Sequence, residues 1–356
     1  MENNIEIRPL QRISNVVHIG DGMQLQYGYD YLWDDDYVYI IDPKRLARRI
    51  GAIKSDGYDE KVMNRWIRSI SNNSIDLFIE DKNLDLSTIS QRVITNWYGE
   101  FAKTNFINTQ IHDVFGRPYI PGSSIKGALR TAIIATLARR RVTTKTRLNE
   151  VEDLEMRLAS GTTDKKSSVR SDFFRFIRAT DAFYKQGCEV VISVPRMTAE
   201  KMNDIKVILE AIAPNEDENT SFLLNIDVDQ YNLVKDSGLM DSIGIMPDEM
   251  KTINGLFHLV NEHTLFLVNE EIKAWKLIKN YNVEKYVETL QLLKQECMDC
   301  GQGECILRLG MGSGKIFITG GWAMTLPGVS APKTRAVYNE DDDHLNVLGF
   351  IKLAHI

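Results

Sequence analysis

The stretch Arg117-Pro-Tyr-Ile-Pro-Gly-Ser-Ser-Ile-Lys-Gly-Ala-Leu-Arg130 is the most informative part of this sequence. Pro121-Gly122 predicts a break in the chain, and Ser123 or Ser124 is suited to cap a helix that starts there. A stripe of apolar residues with helical spacing follows, at Ile125, Leu129, Ile133 and Leu137. This spacing predicts a buried helix face. We therefore expect a turn that opens directly into a helix.

The start of this predicted helix has the features of a phosphate-binding site. Backbone N–H groups at a helix N-terminus attract anions, and here they are accompanied by hydroxyl groups and by cations. The residues that we expect to contact phosphate are Gly122, Ser123, Ser124, Lys126, Arg130 and the preceding Arg117.

Positive charge is segregated in this chain of 356 residues, which has a net charge of -6. Between Asp113 and Glu150 there is no acidic residue, whereas Arg and Lys occur repeatedly. A second interval without acidic residues runs from Cys305 to Asn339 and contains Arg308, Lys315, Lys333 and Arg335. Localised basic segments in an acidic protein indicate a site for a polyanion. The alternative is a solvated basic helix face together with a basic loop.

A glycine-rich loop, Leu309-Gly-Met-Gly-Ser-Gly-Lys-Ile316, lies in the second interval. It does not match a P-loop, because Leu309 replaces the first glycine and Ile316 replaces the hydroxyl residue that would hold magnesium. It does not match a dinucleotide-binding fingerprint, because the third glycine would fall at Lys315. We expect Gly310, Gly312, Gly314 and Lys315 to contact a phosphate backbone, with a plain turn as the alternative.

Two further groups of residues suggest chemistry. His18 stands just before Gly20 and Gly22 and is suited to act as a general base in RNA cleavage; the alternative is a histidine that packs or hydrogen-bonds at a strand end. The spacing of Cys297, Cys300 and Cys305 resembles part of a zinc site, for which Cys188 or His263 would have to be the fourth ligand. Free thiols are the alternative, and no cofactor is expected.

Length and composition indicate two globular domains, with 43% apolar and 26% charged residues. The sequence shows no secretory signal, membrane span or disulfide framework, so we expect a cytoplasmic protein without membrane contact. The pattern of strands and helices predicts an α+β fold with antiparallel sheets and helices on one face. Residues 86–101, 199–213 and 247–297 are predicted to be helical, and 173–183 is predicted to pair with 189–194.

The motifs together resemble the RAMP superfamily of CRISPR-associated proteins. The resemblance rests on His18-Ile-Gly-Asp-Gly22, on Ile120-Pro-Gly-Ser-Ser-Ile-Lys-Gly-Ala-Leu-Arg130, on the glycine-rich loop and on Leu348-Gly-Phe-Ile-Lys-Leu353. Their order and spacing are most similar to the Csm-type (type III-A) subunit that caps the effector complex at the 3′ end of the guide RNA.

This resemblance implies tandem ferredoxin-like (RRM-like) domains with helical insertions, at residues 1–200 and 201–356. It implies a non-catalytic subunit that supports crRNA maturation and antiviral defence. The implied partners are the crRNA, the target RNA, other Csm subunits (especially the repeated backbone subunit) and host nucleases. By position, the residues that would contact RNA phosphate, or stabilise the loop that does, are Gly122, Ser123, Ser124, Lys126 and Arg130. Gly310, Gly312, Gly314 and Lys315 would form the glycine-rich loop of the superfamily, and Gly20 and Gly22 are further RNA-binding candidates. Two alternatives stay open: a metal-independent crRNA-processing endoribonuclease that uses His18, and a protein-binding scaffold.

Overall fold

The structure of the protein is a computed structural model, which describes residues 3–14, 16–54, 57–72, 74–97, 106–141, 150–161, 171–213, 219–238, 243–314, 317, 321–322, 333–339 and 345–356. Within them the helices are α1 (Pro43–Arg49), α2 (Glu60–Ser71), α3 (Ile75–Lys82), α4 (Leu86–Ile89), α5 (Gly122–Arg139), α6 (Val151–Ser160), α7 (Val228–Asp236), α8 (Ile253–Trp275) and α9 (Tyr281–Met298). None of these helices is long and apolar enough to cross a membrane.

The strands within the same residues are β1 (Asn3–Arg8), β2 (Gly20–Gln26), β3 (Tyr31–Trp33), β4 (Tyr37–Ile41), β5 (Ile53–Lys54), β6 (Gly57–Tyr58), β7 (Ser90–Asn96), β8 (Phe106–Gln110), β9 (Tyr119–Ile120), β10 (Ile177–Ala179), β11 (Ala182–Phe183), β12 (Glu189–Met197), β13 (Met202–Ile212), β14 (Thr220–Ile226), β15 (Glu304–Arg308), β16 (Arg335–Ala336) and β17 (Phe350–His355). Two short pairs, β5 with β6 and β9 with β11, lie outside the main sheets.

The first sheet has five antiparallel strands in the order β10-β14-β1-β17-β15. In chain order, β1, α5, β10, β14, α8 and β17 give the strand–helix–strand–strand–helix–strand succession of a ferredoxin-like domain. Helices α5 and α8 pack on each other and on apolar residues of β1, β14 and β17. The predicted α+β class is confirmed, and this sheet has the predicted ferredoxin-like architecture.

The second sheet has the strand order β2-β8-β13-β12-β7-β4-β3, and β16 also pairs with β12. Most of its pairs are antiparallel, as predicted, but β7 runs parallel to β12 and β8 runs parallel to β13. Helices α1 to α4 contribute Leu46, Trp66, Ile75 and Ile89 to an apolar core shared with β4 and β7. The predicted division near residue 200 falls in the turn between the paired strands β12 and β13, and it stays a prediction.

Several local predictions from the sequence are wrong. Residues 202–212 form β13 rather than an amphipathic helix; residues 208–212 are all buried, the charged Glu210 included, whereas an amphipathic helix would expose its polar face. Residues 86–89 form one helical turn, but 90–96 form β7, whose burial alternates as in a strand. Strand β12 pairs with β13, β7 and β16, and not with residues 173–183. The helical prediction for 247–297 is confirmed by α8 and α9.

Candidate nucleic-acid interface

Helix α5 begins at Gly122, as the sequence predicts, but the first backbone N–H group of the helix is hydrogen-bonded to a carboxylate of the protein. The Gly122 N–H donates to Asp181 Oδ1 at 2.7 Å. Pro121 is the N-cap residue, and no side chain of the cap residue accepts a hydrogen bond. The prediction that Ser123 or Ser124 caps the helix is therefore wrong. Gly122 is also required by packing, because a Cβ atom there would lie 2.2 Å from the carbonyl oxygen of Ala179.

The two predicted cations of α5 have different surroundings. Arg130 forms an ion pair with Asp172 at 3.0 Å, so a carboxylate of the protein already neutralises much of its charge. Lys126 is half-buried, and the described residues contain no ion-pair partner for it. Burial lowers the pKa of the Lys126 ammonium, and the nearby Asp172 partly opposes this effect. Ser123 is exposed and Ser124 is half-buried on the same turn, so Lys126 and the two hydroxyls remain available for an anion.

Arg117, the third predicted cation of this motif, is held by Asp113. Its Nε and Nη2 atoms both lie 2.8 Å from Asp113 Oδ2. The guanidinium also lies over the ring of Phe183, 4.9 Å from its centroid. The side chain of Arg117 therefore stabilises the turn between Asp113 and Arg117.

The glycine-rich loop passes close to the segment that contains His18. Gly310, Gly312 and Gly314 all have positive φ values, of 73°, 84° and 63°. The N–H of Met311 donates to the His18 carbonyl oxygen at 2.9 Å, and a Cβ atom on Gly310 would lie 2.4 Å from this same oxygen. Glycine is thus required at position 310 by conformation and by contact. The predicted contact residue Lys315 lies outside the described residues.

Arg308 supports the glycine-rich loop from inside. Its Nη2 donates to the Gly312 carbonyl at 2.6 Å, and its Nε donates to the Leu348 carbonyl at 3.1 Å. The guanidinium lies against both Phe317 and Phe350, 4.7 and 4.6 Å from their ring centroids, and these two rings contact each other edge to face at 5.7 Å. Burial lowers the pKa of Arg308 to about 10, so the group stays charged at neutral pH. Arg308, a basic residue of the second interval without acidic residues, thus uses two of its N–H groups in hydrogen bonds within the protein.

A groove with a volume of about 530 Å³ lies beside the glycine-rich loop. Residues 310–314, Val194 and Val207 line it, and Arg196 of β12 and Arg335 of β16 supply cations. Arg335 is paired with Glu271 at 2.6 Å, whereas Arg196 is exposed and has no ion-pair partner among the residues that the structure describes. The sequence contained no signal for Arg196, because it lies outside both acid-free intervals and reaches the groove only through the pairing of β12 with β16.

His18 is a buried residue in this arrangement, with 5% of its surface exposed. Its Nδ1 lies 2.6 Å from the Glu210 carbonyl oxygen. Because a carbonyl can only accept, Nδ1 carries the proton and Nε2 is the acceptor of the neutral ring. Burial lowers the pKa of His18 and favours this neutral form. Gly20 leaves room for the ring, since a Cβ atom there would lie 3.0 Å from Nε2, whereas Gly22 meets open space.

Gln110 connects the three predicted motifs, although no sequence motif includes it. Its side chain is fully buried. Oε1 accepts from the Ile19 N–H at 2.9 Å, and Nε2 donates to the Tyr119 carbonyl at 3.2 Å. Together with the bond from Met311 to His18, this side chain links the glycine-rich loop, residues 18–22 and the strand that leads into α5. The three motifs therefore form one connected structure.

A buried charged cluster lies beside this network. Arg92 donates to Glu189 at 2.9 Å and to Glu210 at 2.8 Å, and His112 Nε2 lies 2.6 Å from Glu189 Oε1. His112, Glu189 and Glu210 are the one group of three or more possible metal ligands that converge within 4.8 Å in the described part of the chain. Burial raises the pKa of the Glu210 carboxyl, and Arg92 opposes this. Because Arg92 already supplies positive charge there, we assign no metal to the cluster.

The predicted cysteine ligands lie at the end of α9 and in β15. Cys297 and Cys305 are buried, and Cys300 is half-buried. Cys300 donates to the carbonyl oxygen of Glu296 at 3.4 Å. Burial raises the pKa of all three thiols, that of Cys300 to about 12. Raised pKa values favour the neutral thiol over the thiolate that binds zinc. Within the described residues these three thiols do not form a group of converging metal ligands.

The chain belongs to the RAMP superfamily, whose family model matches residues 11–316. A relative described as CRISPR system Cms protein Csm5, from Methanocaldococcus jannaschii, is 22% identical over 371 residues; the match covers 91% of this chain and 83% of the relative. A relative with the same description from Streptococcus thermophilus is 28% identical over 131 residues, which cover 34% of this chain and 35% of that protein.

Two solved structures share the fold of this chain. The crystal structure of T. onnurineus Csm5 matches with a TM-score of 0.70 and 19% identity, over 98% of this chain and 99% of that one. A chain in the cryo-EM structure of a Csm–crRNA–target RNA ternary complex of a type III-A CRISPR-Cas system matches with a TM-score of 0.64 and 18% identity, over the full length of both chains. The similarity therefore extends beyond the sequence motifs to the whole architecture.

Proposed function

We propose that this chain is a non-catalytic RNA-binding subunit of a type III-A Csm effector complex, and that it caps the 3′ end of the crRNA. The observation that carries the proposal is the groove beside the glycine-rich loop, which Gln110 and His18 connect to the N-terminal turn of α5. Relatives described as Csm5, one of them matched over 83% of its length, support the assignment to this kind of complex.

The chemistry of the groove suits an RNA backbone. Backbone groups of the glycine-rich loop and isolated cations contact phosphates without reading the base sequence. Arg196 at the groove and Lys126 on α5 are two such cations without ion-pair partners in the described residues. A crRNA varies in sequence along its guide region, so a subunit that binds the backbone is suited to hold it. The buried His18 ring supports a positioning role for this residue in the proposal.

The proposed partners are the crRNA, the target RNA and the other Csm subunits, since a chain with this fold occurs in a Csm–crRNA–target RNA complex. Contacts with the repeated backbone subunit and with host nucleases stay predictions, as do the supporting role in crRNA maturation and the cytoplasmic location.

The proposal can be tested by co-expressing the tagged chain with its genomic neighbours and sequencing any RNA that co-purifies. We expect short RNAs that share a repeat-derived 5′ end, together with stoichiometric partner proteins. Recovery of the chain without RNA and partners would contradict the proposal as a whole.

The capping role requires a second experiment on the reconstituted complex. A crRNA with 4-thiouridine at its 3′-terminal position should crosslink to this chain, whereas a crRNA with the same label at its 5′ terminus should not. Crosslinks from the 5′ label alone, or equal crosslinks from both, would contradict a position at the 3′ end and leave RNA binding itself supported.

A further inference from the structure

The turn between Asp113 and Arg117 exposes an aromatic ring in a fixed position. Phe115 is 73% exposed, and the neighbouring Val114 is 94% exposed. Asp113 Oδ1 accepts from the N–H groups of Phe115 and Arg117, each at 2.9 Å. From the other side, Gln186 Nε2 donates to the Phe115 carbonyl at 2.7 Å. The backbone that carries the exposed ring is therefore held from two directions.

Phe115 is the outer member of a column of planar groups. The Arg117 guanidinium lies 5.8 Å from the Phe115 ring centroid and 4.9 Å from that of Phe183. Phe183 in turn stacks on Tyr119, with a centroid distance of 5.3 Å and an angle of 29° between the rings. The column therefore lies along the surface beside the strand pair β9–β11: Phe183 is 40% exposed, Tyr119 is half-buried, and the last ring, Phe115, is the most exposed of the three.

The charge and size of this surface decide what it can bind. Asp113 neutralises Arg117, so the column offers a flat π surface rather than a charged one. An aromatic side chain buries about 150–250 Å², far less than the roughly 800 Å² per partner of a stable protein interface. Such an area matches one nucleobase, and stacking of bases on aromatic rings is the usual mode of binding for unpaired RNA.

The column is also continuous with the proposed RNA-binding surface. Tyr119, its innermost ring, belongs to β9, which leads through Ile120 and Pro121 into the turn that carries Lys126. The Tyr119 carbonyl oxygen accepts from Gln110 Nε2, the side chain that links α5 to the glycine-rich loop. Phe115, Arg117, Tyr119 and Lys126 are therefore carried by one continuous stretch of chain, residues 115–126.

We propose that Phe115 is a stacking site for an unpaired nucleobase of the bound RNA. The base would continue the column of Phe115, Arg117, Phe183 and Tyr119. This inference rests on the proposed function, and it adds to that function a base contact that requires no particular base identity.

The test uses the complex purified from co-expression, loaded with RNA that contains 5-iodouridine at single positions, which crosslinks efficiently to stacked aromatic rings. One set of RNAs has the label in the guide strand, and a second set has it in the target strand, which identifies the source of the base. We expect one label to crosslink to the peptide that contains Phe115.

Phe115→Ala and Phe115→Leu should reduce this crosslink about ten-fold, and Phe115→Trp should retain it. Phe106→Ala, at a second exposed phenylalanine, is the matched control and should have no effect.

Three outcomes would overturn the inference, and they are distinguishable. Wild-type crosslinking in Phe115→Leu would show an apolar contact without stacking. Loss of a partner subunit in Phe115→Ala, with RNA crosslinks unchanged, would assign the ring to a protein contact. Absence of RNA from the wild-type complex would instead remove the proposed function, and the inference with it.

Discussion

The N-terminal turn of α5 and the glycine-rich loop look alike in sequence but use their charges differently. At α5, Asp181 and Asp172 come from a later part of the chain and bind the helix N-terminus and Arg130. At the loop, Arg308 points inward, and the groove obtains an unpaired cation from the distant strand β12. An interval of the sequence that lacks acidic residues can therefore have carboxylates beside it in the folded protein, supplied by other parts of the chain. Each region keeps an accessible cation without an ion-pair partner among the described residues, Lys126 on α5 and Arg196 at the groove.

The largest expected effect is on the free energy of unfolding, and it distinguishes Arg308, which hydrogen-bonds to backbone carbonyls, from Arg140, which forms exposed ion pairs. Arg308→Gln should destabilise the protein by roughly 3–5 kcal/mol, because the carbonyl oxygens of Gly312 and Leu348 lose their charged donor and the contact of the guanidinium with the rings of Phe317 and Phe350 is lost. Urea unfolding followed by circular dichroism measures this change. Arg140→Gln is the matched control, since Arg140 forms exposed ion pairs with Glu249 and Glu262, and it should cost less than about 1 kcal/mol. Equal effects would contradict the internal role of Arg308.

A second comparison tests why the loop needs its glycines. Gly310→Ala should destabilise the protein by about 2–4 kcal/mol, since the positive φ is strained for alanine and the Cβ atom would press on the His18 carbonyl oxygen. Gly314→Ala shares the positive φ, but its Cβ atom would meet only the Gly312 oxygen, at 4.0 Å. Its cost should stay near 1 kcal/mol. Thermal unfolding of the two variants should separate them, and similar melting temperatures would show that contact with His18 is unimportant.

Acid should weaken the scaffold behind α5. His263 of α8 accepts from Arg139 of α5, and burial together with the Arg139 charge lowers the pKa of His263 from 6.5 to about 3. Between these values the unfolded chain binds a proton that the folded chain does not bind, so stability decreases as the pH falls. The loss from this residue is about 2 kcal/mol between pH 6.5 and pH 5. His263→Gln retains an acceptor for Arg139 and should reduce the pH dependence in urea unfolding; an unchanged slope would argue against a neutral His263.

The smallest expected effect concerns a glycine of the α5 turn that the fold does not require. Gly127 lies in the helix interior, and a Cβ atom there would meet nothing within 4 Å. Gly127→Ala should therefore stabilise the protein by about 0.5–1 kcal/mol through the helix propensity of alanine. Gly122→Ala provides the contrast, because its Cβ atom would press on the Ala179 carbonyl oxygen. A melting temperature that falls in both variants would contradict this reading of α5.

The sequence predicted those parts of the fold whose causes are local. The apolar stripe of α5 and the paired helices α8 and α9 were predicted because helical spacing is visible within one segment. Strand β13 was predicted to be an amphipathic helix, because its mixture of apolar and polar residues also fits helical spacing. The burial of its Glu210 depends on Arg92 of β7, a partner that the segment itself does not reveal.

The candidate site was predictable to a similar degree. Gly122 and Gly310 were selected as phosphate contacts, which stays a prediction; the structure shows in addition that the backbone at each comes close to another segment, at the carbonyl oxygens of Ala179 and His18. The partners of the cations, and the linking role of Gln110, depend on residues that are tens of positions away in the chain. Pairing of this kind is set by tertiary structure, so no motif or charge interval reveals it.

The central claim, that RNA phosphates contact Lys126 and Arg196, is tested most directly by the salt dependence of RNA affinity. The full chain should be titrated with a single-stranded crRNA over a range of salt concentrations, in parallel with a Lys126→Ala/Arg196→Ala variant and with Arg140→Ala as control. Each phosphate contact contributes about 0.7 to the slope of log affinity against log salt for a single strand, so the double variant should bind more weakly with a slope reduced by about 1.4. A double variant with the affinity and slope of the wild type would contradict the account.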